Sequence, residues 1–113
     1  MVRGVERGVK DSPRTVSISD DPFVEDFNMN LAQPLSKSVR LNGLATCLRL
    51  ENVYWNILSA IARSNDCSVN AVLSYIDREV HLRYGGVKNF SGLIRVVCVS
   101  HLLKSGCLDV AQA

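Results

Sequence analysis

Between Lys37 and Leu50 apolar and polar residues alternate at period two. Val39 and Leu41, then Leu44, Thr46, Leu48 and Leu50, fall on one side, and Ser38, Arg40, Ala45, Cys47 and Arg49 on the other. Asn42-Gly43 interrupts the run, and both residues tolerate the positive φ that a type I′ turn requires. The segment predicts a β-hairpin whose register pairs Leu41 with Leu44 and Val39 with Thr46, with both apolar rows on one face. A lone hairpin is marginal in water, so that face needs helices or a second chain to cover it.

After the hairpin the apolar period changes to that of a helix. The first helix is predicted from Glu51-Asn52 to about Ser64, with Tyr54, Leu58, Ile61 and Ala62 on one stripe and Trp55 beside it. Glu51 or Asn52 is placed to satisfy its early amides. The spacing of Tyr54 and Trp55 with the aliphatics reads as packing rather than as a ligand-stacking site. Asn65-Asp66-Cys67 breaks the pattern, and Ser68 is the N-cap of a second helix carrying Val69, Val72, Leu73, Ile76 and Val80 as far as His81 to Arg83. Gly85-Gly86 ends it. Asn89 caps a third helix with Phe90, Leu93, Ile94, Val97 and His101 on one stripe, and Gly106 closes it. Val96, Val99, Leu102 and Leu103 make this helix apolar nearly all round, which argues for a core shared between subunits. The predicted fold is mainly α with a short β-ribbon: a hairpin followed by three helices in an intertwined homodimer. Its dimer core is predicted to hold Leu48, Leu50, Tyr54, Trp55, Leu58, Ile76, Leu93, Ile94 and Val97.

At 113 residues and 47% hydrophobic content the chain fits one domain with a tail. Residues 1–34 hold Pro13, Pro22 and Pro34 without sustained periodicity and read as a flexible leader, residues 35–106 as the folded domain and 107–113 as a frayed end. Charge divides along the same line: residues 1–36 carry four basic against six acidic side chains, and the remainder nine against five. The mildly basic folded part suits an anionic partner without demanding one.

The first residues lack the apolar run of a signal peptide and no segment is long enough to span a bilayer, so a cytoplasmic, non-membrane protein is expected. Cys47, Cys67, Cys98 and Cys107 are then expected as reduced thiols. Gly85-Gly86-Val87-Lys88 lacks the upstream glycine and following hydroxyl of a phosphate-binding loop. His81 and His101 stand in separate helices without metal-ligand spacing. No enzyme activity, metal or cofactor is expected. Cys47, on the polar side of the ribbon, suggests a thiol that alters contacts when oxidised, against the plainer reading of a small strand residue.

The order strand, helix, capped helix, together with a need for dimerisation, resembles the ribbon-helix-helix DNA-binding proteins of the Arc/MetJ-like superfamily, and in particular a bacterial branch with an additional C-terminal helix. The resemblance is carried by Ser38-Val39 with Gly43, by Thr46-Cys47-Leu48-Arg49-Leu50-Glu51, by Tyr54-Trp55, by Ser68-Val69-Asn70-Ala71-Val72-Leu73, and by Asn89-Phe90-Ser91 with Leu93-Ile94-Arg95-Val96. It covers about residues 37–103 and leaves the leader unaccounted for. The chain departs from the branch at Ala45, where a basic residue is usual, and at Cys47, where serine is usual.

The resemblance implies a transcriptional regulator, most often a repressor, bound to double-stranded DNA as a homodimer with paired strands in the major groove. Carried over, Arg49, Cys47 and Ala45, with Arg40 on the neighbouring strand, read base edges; Arg49 suits guanine, whose O6 and N7 one guanidinium bonds together. The amino end of the second helix, at Ser68, Val69 and Asn70, meets a phosphate, and Lys37 and Arg63 add diffuse attraction. A plain N-cap accounts for Ser68 equally well. The third helix also permits tetramers. The alternative is the same fold used as a protein interaction module or antitoxin-like adaptor with weak or no DNA binding; Asp20-Asp21-Pro22-Phe23-Val24-Glu25-Asp26-Phe27 of the leader offers it a docking segment, against the plainer reading of a solvated leader.

Overall fold

A computed structural model of the chain describes residues 23–106. The expectations for residues 1–22, for the frayed end at 107–113 and for Cys107 lie outside the described residues. Two strands, β1 (Pro34–Leu41) and β2 (Leu44–Glu51), form an antiparallel hairpin, followed by α1 (Asn52–Ser64), α2 (Val69–Tyr84) and α3 (Phe90–Lys104). The turn is as the sequence predicts, with Asn42 at φ 53° and Gly43 at φ 91°, and the register pairs Leu41 with Leu44 and Val39 with Thr46. The strands extend three residues upstream of Lys37, so Leu35 faces Leu50 and Ser36 faces Arg49.

Ordered structure begins before residue 35. A single 3-10 turn over Met29–Ala32, capped by the Asn28 side chain on the Asn30 amide, is stapled to the start of α1. The Asn52 amide donates to the Gln33 carbonyl at 2.8 Å and its side chain to the Asn30 carbonyl at 3.0 Å. Asn52 is thereby taken from the capping role expected of it. Glu51 occupies the N-cap position without a side-chain cap bond, because its carboxylate turns instead to Arg95 on α3.

The other helix ends follow the sequence. Ser68 Oγ accepts from the Ala71 amide, Asn89 Oδ1 accepts from the Gly92 amide, and Gly85 closes α2 in the left-handed region at φ 79° with its amide on the His81 carbonyl.

The core lies between the hairpin and the helices and is built from Val39, Leu48, Leu50, Trp55, Leu58, Leu73, Ile94 and Cys98. Leu44, in phase with the buried row, is nevertheless 73% exposed. On α3 the inward line runs through Ile94 and Cys98, so Val97 is only half-buried and His101 is exposed. Among the described residues no helix is long and apolar enough to cross a membrane, and no three metal-ligating side chains come together.

Candidate functional site

The face of the hairpin turned away from the helices carries three rungs: Arg40 opposite Ala45, Ser38 opposite Cys47, and Ser36 opposite Arg49. All six side chains are exposed. The two guanidiniums stand at opposite ends of the ladder on different strands, and the carboxylate at the far end, Glu51, is bonded to Arg95 at 2.9 Å. That bond holds the Glu51 carboxyl below its ordinary value of 4.5. The exposed face is therefore a donor-rich, cationic strip. Arg40 Nη1 donates to the Gly43 carbonyl at 3.2 Å, which lays its side chain along the turn and leaves its other donors outward.

The hairpin's two edges differ. Closing the two-residue turn through Leu41 and Leu44 fixes which main-chain groups are exchanged between the strands, and those of Ser36, Ser38 and Arg40 on β1 and of Ala45, Cys47 and Arg49 on β2 point to the outer edges. On β1 the Arg40 groups are taken by α2. The Arg40 amide donates to Asn70 Oδ1 at 2.8 Å, Asn70 Nδ2 donates to the Arg40 carbonyl at 2.7 Å, and Ser74 Oγ donates to the same carbonyl at 2.9 Å. Asn42 extends the seam by donating its side chain to the Ser74 carbonyl and to Asp77. On β2 the outward amides and carbonyls of Ala45, Cys47 and Arg49 have no partner among the described residues. An open cleft of about 380 Å³ separates that edge from Lys88–Ser91 at the start of α3.

Sequence-expected residues thus divide. Arg49, Cys47, Ala45 and Arg40 share one exposed face. The amides of Ser68, Val69 and Asn70 at the start of α2 are without acceptors among the described residues, but the Asn70 side chain is committed to Arg40. Lys37 belongs to the opposite, helix-facing side of β1, with its ammonium 4.9 Å from the centre of the Trp55 ring, whose Nε1 donates to the Leu35 carbonyl at 2.9 Å. The structure adds Ser36 and Ser38 to the site residues expected from sequence, and their alternation with Arg40 is the signal that finds them.

Of the expected dimer core, Leu48, Leu50, Trp55, Leu58 and Ile94 are already buried within one chain. Tyr54, Ile76, Leu93 and Val97 are only partly buried. Ile76 and Val97, with Ile61, Val72, Tyr75 and His101, line an open apolar cleft of about 750 Å³ between α2 and α3.

A family model described as ribbon-helix-helix domain matches residues 34–102. Among solved structures, an uncharacterized protein from Bordetella pertussis Tohama I is 28% identical with a TM-score of 0.66; the match covers 72% of this chain and 66% of that one, just under two thirds of its length. No curated protein matches.

Proposed function

As the chain belongs to the ribbon-helix-helix domain family, a non-enzymatic fold family whose members typically bind DNA as dimers in transcription regulators, we propose that it is a sequence-specific DNA-binding repressor acting as a homodimer. The observation that carries this reading is the unpaired edge of β2 next to an exposed face bearing Arg49, Cys47 and Ala45. A strand edge with free amides and carbonyls is a template for a second strand, and another copy of β2 supplies a self-complementary antiparallel one.

In the dimer, Arg49 is the principal base-reading group, bidentate to guanine, with Cys47 and Ala45 offering contacts to thymine methyls. The amides of Ser68, Val69 and Asn70, at the positive end of α2, meet a phosphate. Arg40 lies on the same face as Arg49, one strand further out. Lys37 contributes only long-range attraction from its place over Trp55.

The test is a fluorescence titration of the purified protein on random-sequence and genomic duplexes across a salt series. Salt-dependent binding with a preferred sequence supports a regulator. A folded dimer that binds no duplex at low salt refutes it and supports the second reading, a protein interaction module of the same fold. The non-basic residues Ala45 and Cys47 on the outward row of β2 favour that second reading.

A further inference from the structure

We propose that the two strands of each hairpin divide the work on DNA: β2 reads base edges, and the outward row of β1, Ser36, Ser38 and Arg40, holds the phosphates that border the groove. This assignment rests on the DNA-binding reading above and concerns which atoms of the duplex each strand meets.

Width decides it. The hairpin is complete within one chain, and α2 occupies the β1 edge at Arg40, whereas the β2 edge is open from Ala45 to Arg49, so the longer free edge for a second copy to pair with is that of β2. The dimer's sheet then runs β1, β2, β2 of the partner, β1 of the partner. With neighbouring strands roughly 4.8 Å apart, the outer strands lie about 14 Å from each other. The major groove is about 12 Å wide, so it admits the central pair and not all four strands. The β1 strands come to rest over the groove walls, which are phosphate.

The chemistry of the row agrees with that position. Ser36, Ser38 and Arg40 present hydroxyls and a guanidinium with no carboxylate among them, and the two hydroxyls take no partner among the described residues. These are donors to a phosphate oxygen. Across the ladder the facing residues of β2 are Arg49, Cys47 and Ala45. Arg40 is at the edge beside the start of α2, where Asn70 grips its main chain, so its guanidinium and the α2 amides address the same stretch of backbone. The expectation that Arg40 reads a base edge gives way to this placement.

The experiment uses the full chain and a labelled duplex selected by it from a random library, with a scrambled duplex of the same composition as reference, each titrated across a salt series. Arg40→Ala is expected to weaken both duplexes by a similar factor of roughly tenfold, keep their ratio, and reduce the slope of log K against log salt by about 2 for the two sites of a dimer. Ser36→Ala combined with Ser38→Ala is expected to weaken both duplexes about threefold and leave the slope unchanged. Arg49→Ala, by contrast, lowers the ratio. Because Asn70 bonds the Arg40 main chain, Arg40→Ala retains that clamp, and Arg40→Lys restores the slope. The proposal is overturned if Arg40→Ala collapses the ratio of the two duplexes, or if it leaves affinity and slope at the wild-type values. A wild-type chain that binds neither duplex at low salt overturns the DNA-binding reading together with it.

Discussion

The side chain of Asn70 grips the main chain of Arg40 with both its atoms, accepting from the amide at 2.8 Å and donating to the carbonyl at 2.7 Å. Residues thirty positions apart are thereby fixed edge to helix, and the turn end of an edge that would otherwise invite another strand is occupied. Asn70→Ala removes both bonds and is expected to cost about 1–2 kcal/mol, because water replaces part of what is lost at this half-exposed seam. Asn70→Asp is expected to be no better, since it sets an acceptor against the Arg40 carbonyl. Urea denaturation of the two variants against wild type measures this, and an unchanged midpoint for Asn70→Ala would show the clamp to be idle.

Glu51 links the end of β2 to α3 through Arg95, whose guanidinium also lies 5.9 Å from the Tyr54 ring centre. The Arg95 hydrogen bond is the main cause of the lowered Glu51 pKa. A carboxylate with a folded pKa below its unfolded one contributes stability above the unfolded value of 4.5, and the contribution is lost as pH falls through the folded value. Wild type should therefore lose stability on acidification below pH 4.5, and Glu51→Gln should be less stable at neutral pH with a shallower acid decline. Urea midpoints between neutral pH and about pH 3 check the sign.

The thiols are unequal. Cys98 is fully buried beneath α1, with its Sγ 4.0 Å from the Tyr54 carbonyl, and burial pushes its pKa up to about 11. Cys47 and Cys67 are exposed. At mildly alkaline pH a maleimide should label Cys47 and Cys67 and spare Cys98 until the chain is unfolded, as read by peptide mass spectrometry. Labelling of native Cys98 at the rate of Cys47 would contradict the packing of α3.

Arg49 is exposed, makes no hydrogen bond or ion pair among the described residues, and adds only a minor attraction to the Glu51 carboxylate. Arg49→Ala should leave the melting temperature and the dimer unchanged and cost about 1–3 kcal/mol per half-site on the preferred duplex, with a smaller loss on scrambled DNA. Competition titration with the two duplexes reads the difference. Equal losses on both would move Arg49 from base reading to phosphate contact.

The local devices of this fold were legible in sequence. The Asn42-Gly43 turn fixes the hairpin register, Ser68 and Asn89 cap their helices, and Gly85 supplies the left-handed residue that ends α2. Each depends on a few neighbouring residues, so pattern and turn chemistry suffice. Contacts across the fold were not legible. Nothing near Asn70 announces that its amide is spent on Arg40, and Lys37, read as a free cation, lies over Trp55 on the helix-facing side. Glu51 and Asn52 resemble cap residues but are drawn to Arg95 and Asn30, partners distant in sequence. The alternation places Arg49, Cys47, Ala45 and Arg40 together, and Ser36 escapes it because the period-two run is clear only from Lys37 whereas the strand begins at Pro34.

Cys47 is a built-in reporter at the middle rung of the outward face, opposite Ser38. The most direct measurement of whether that face meets DNA is its alkylation rate, read peptide by peptide, in the free protein and with saturating duplex whose binding is monitored by anisotropy. A β2 pair seated in the major groove predicts a rate at least about tenfold slower with DNA, since direct readout excludes solvent from the strand's outward side chains. An unchanged Cys47 rate while the duplex is bound would contradict the account and place the DNA on another surface.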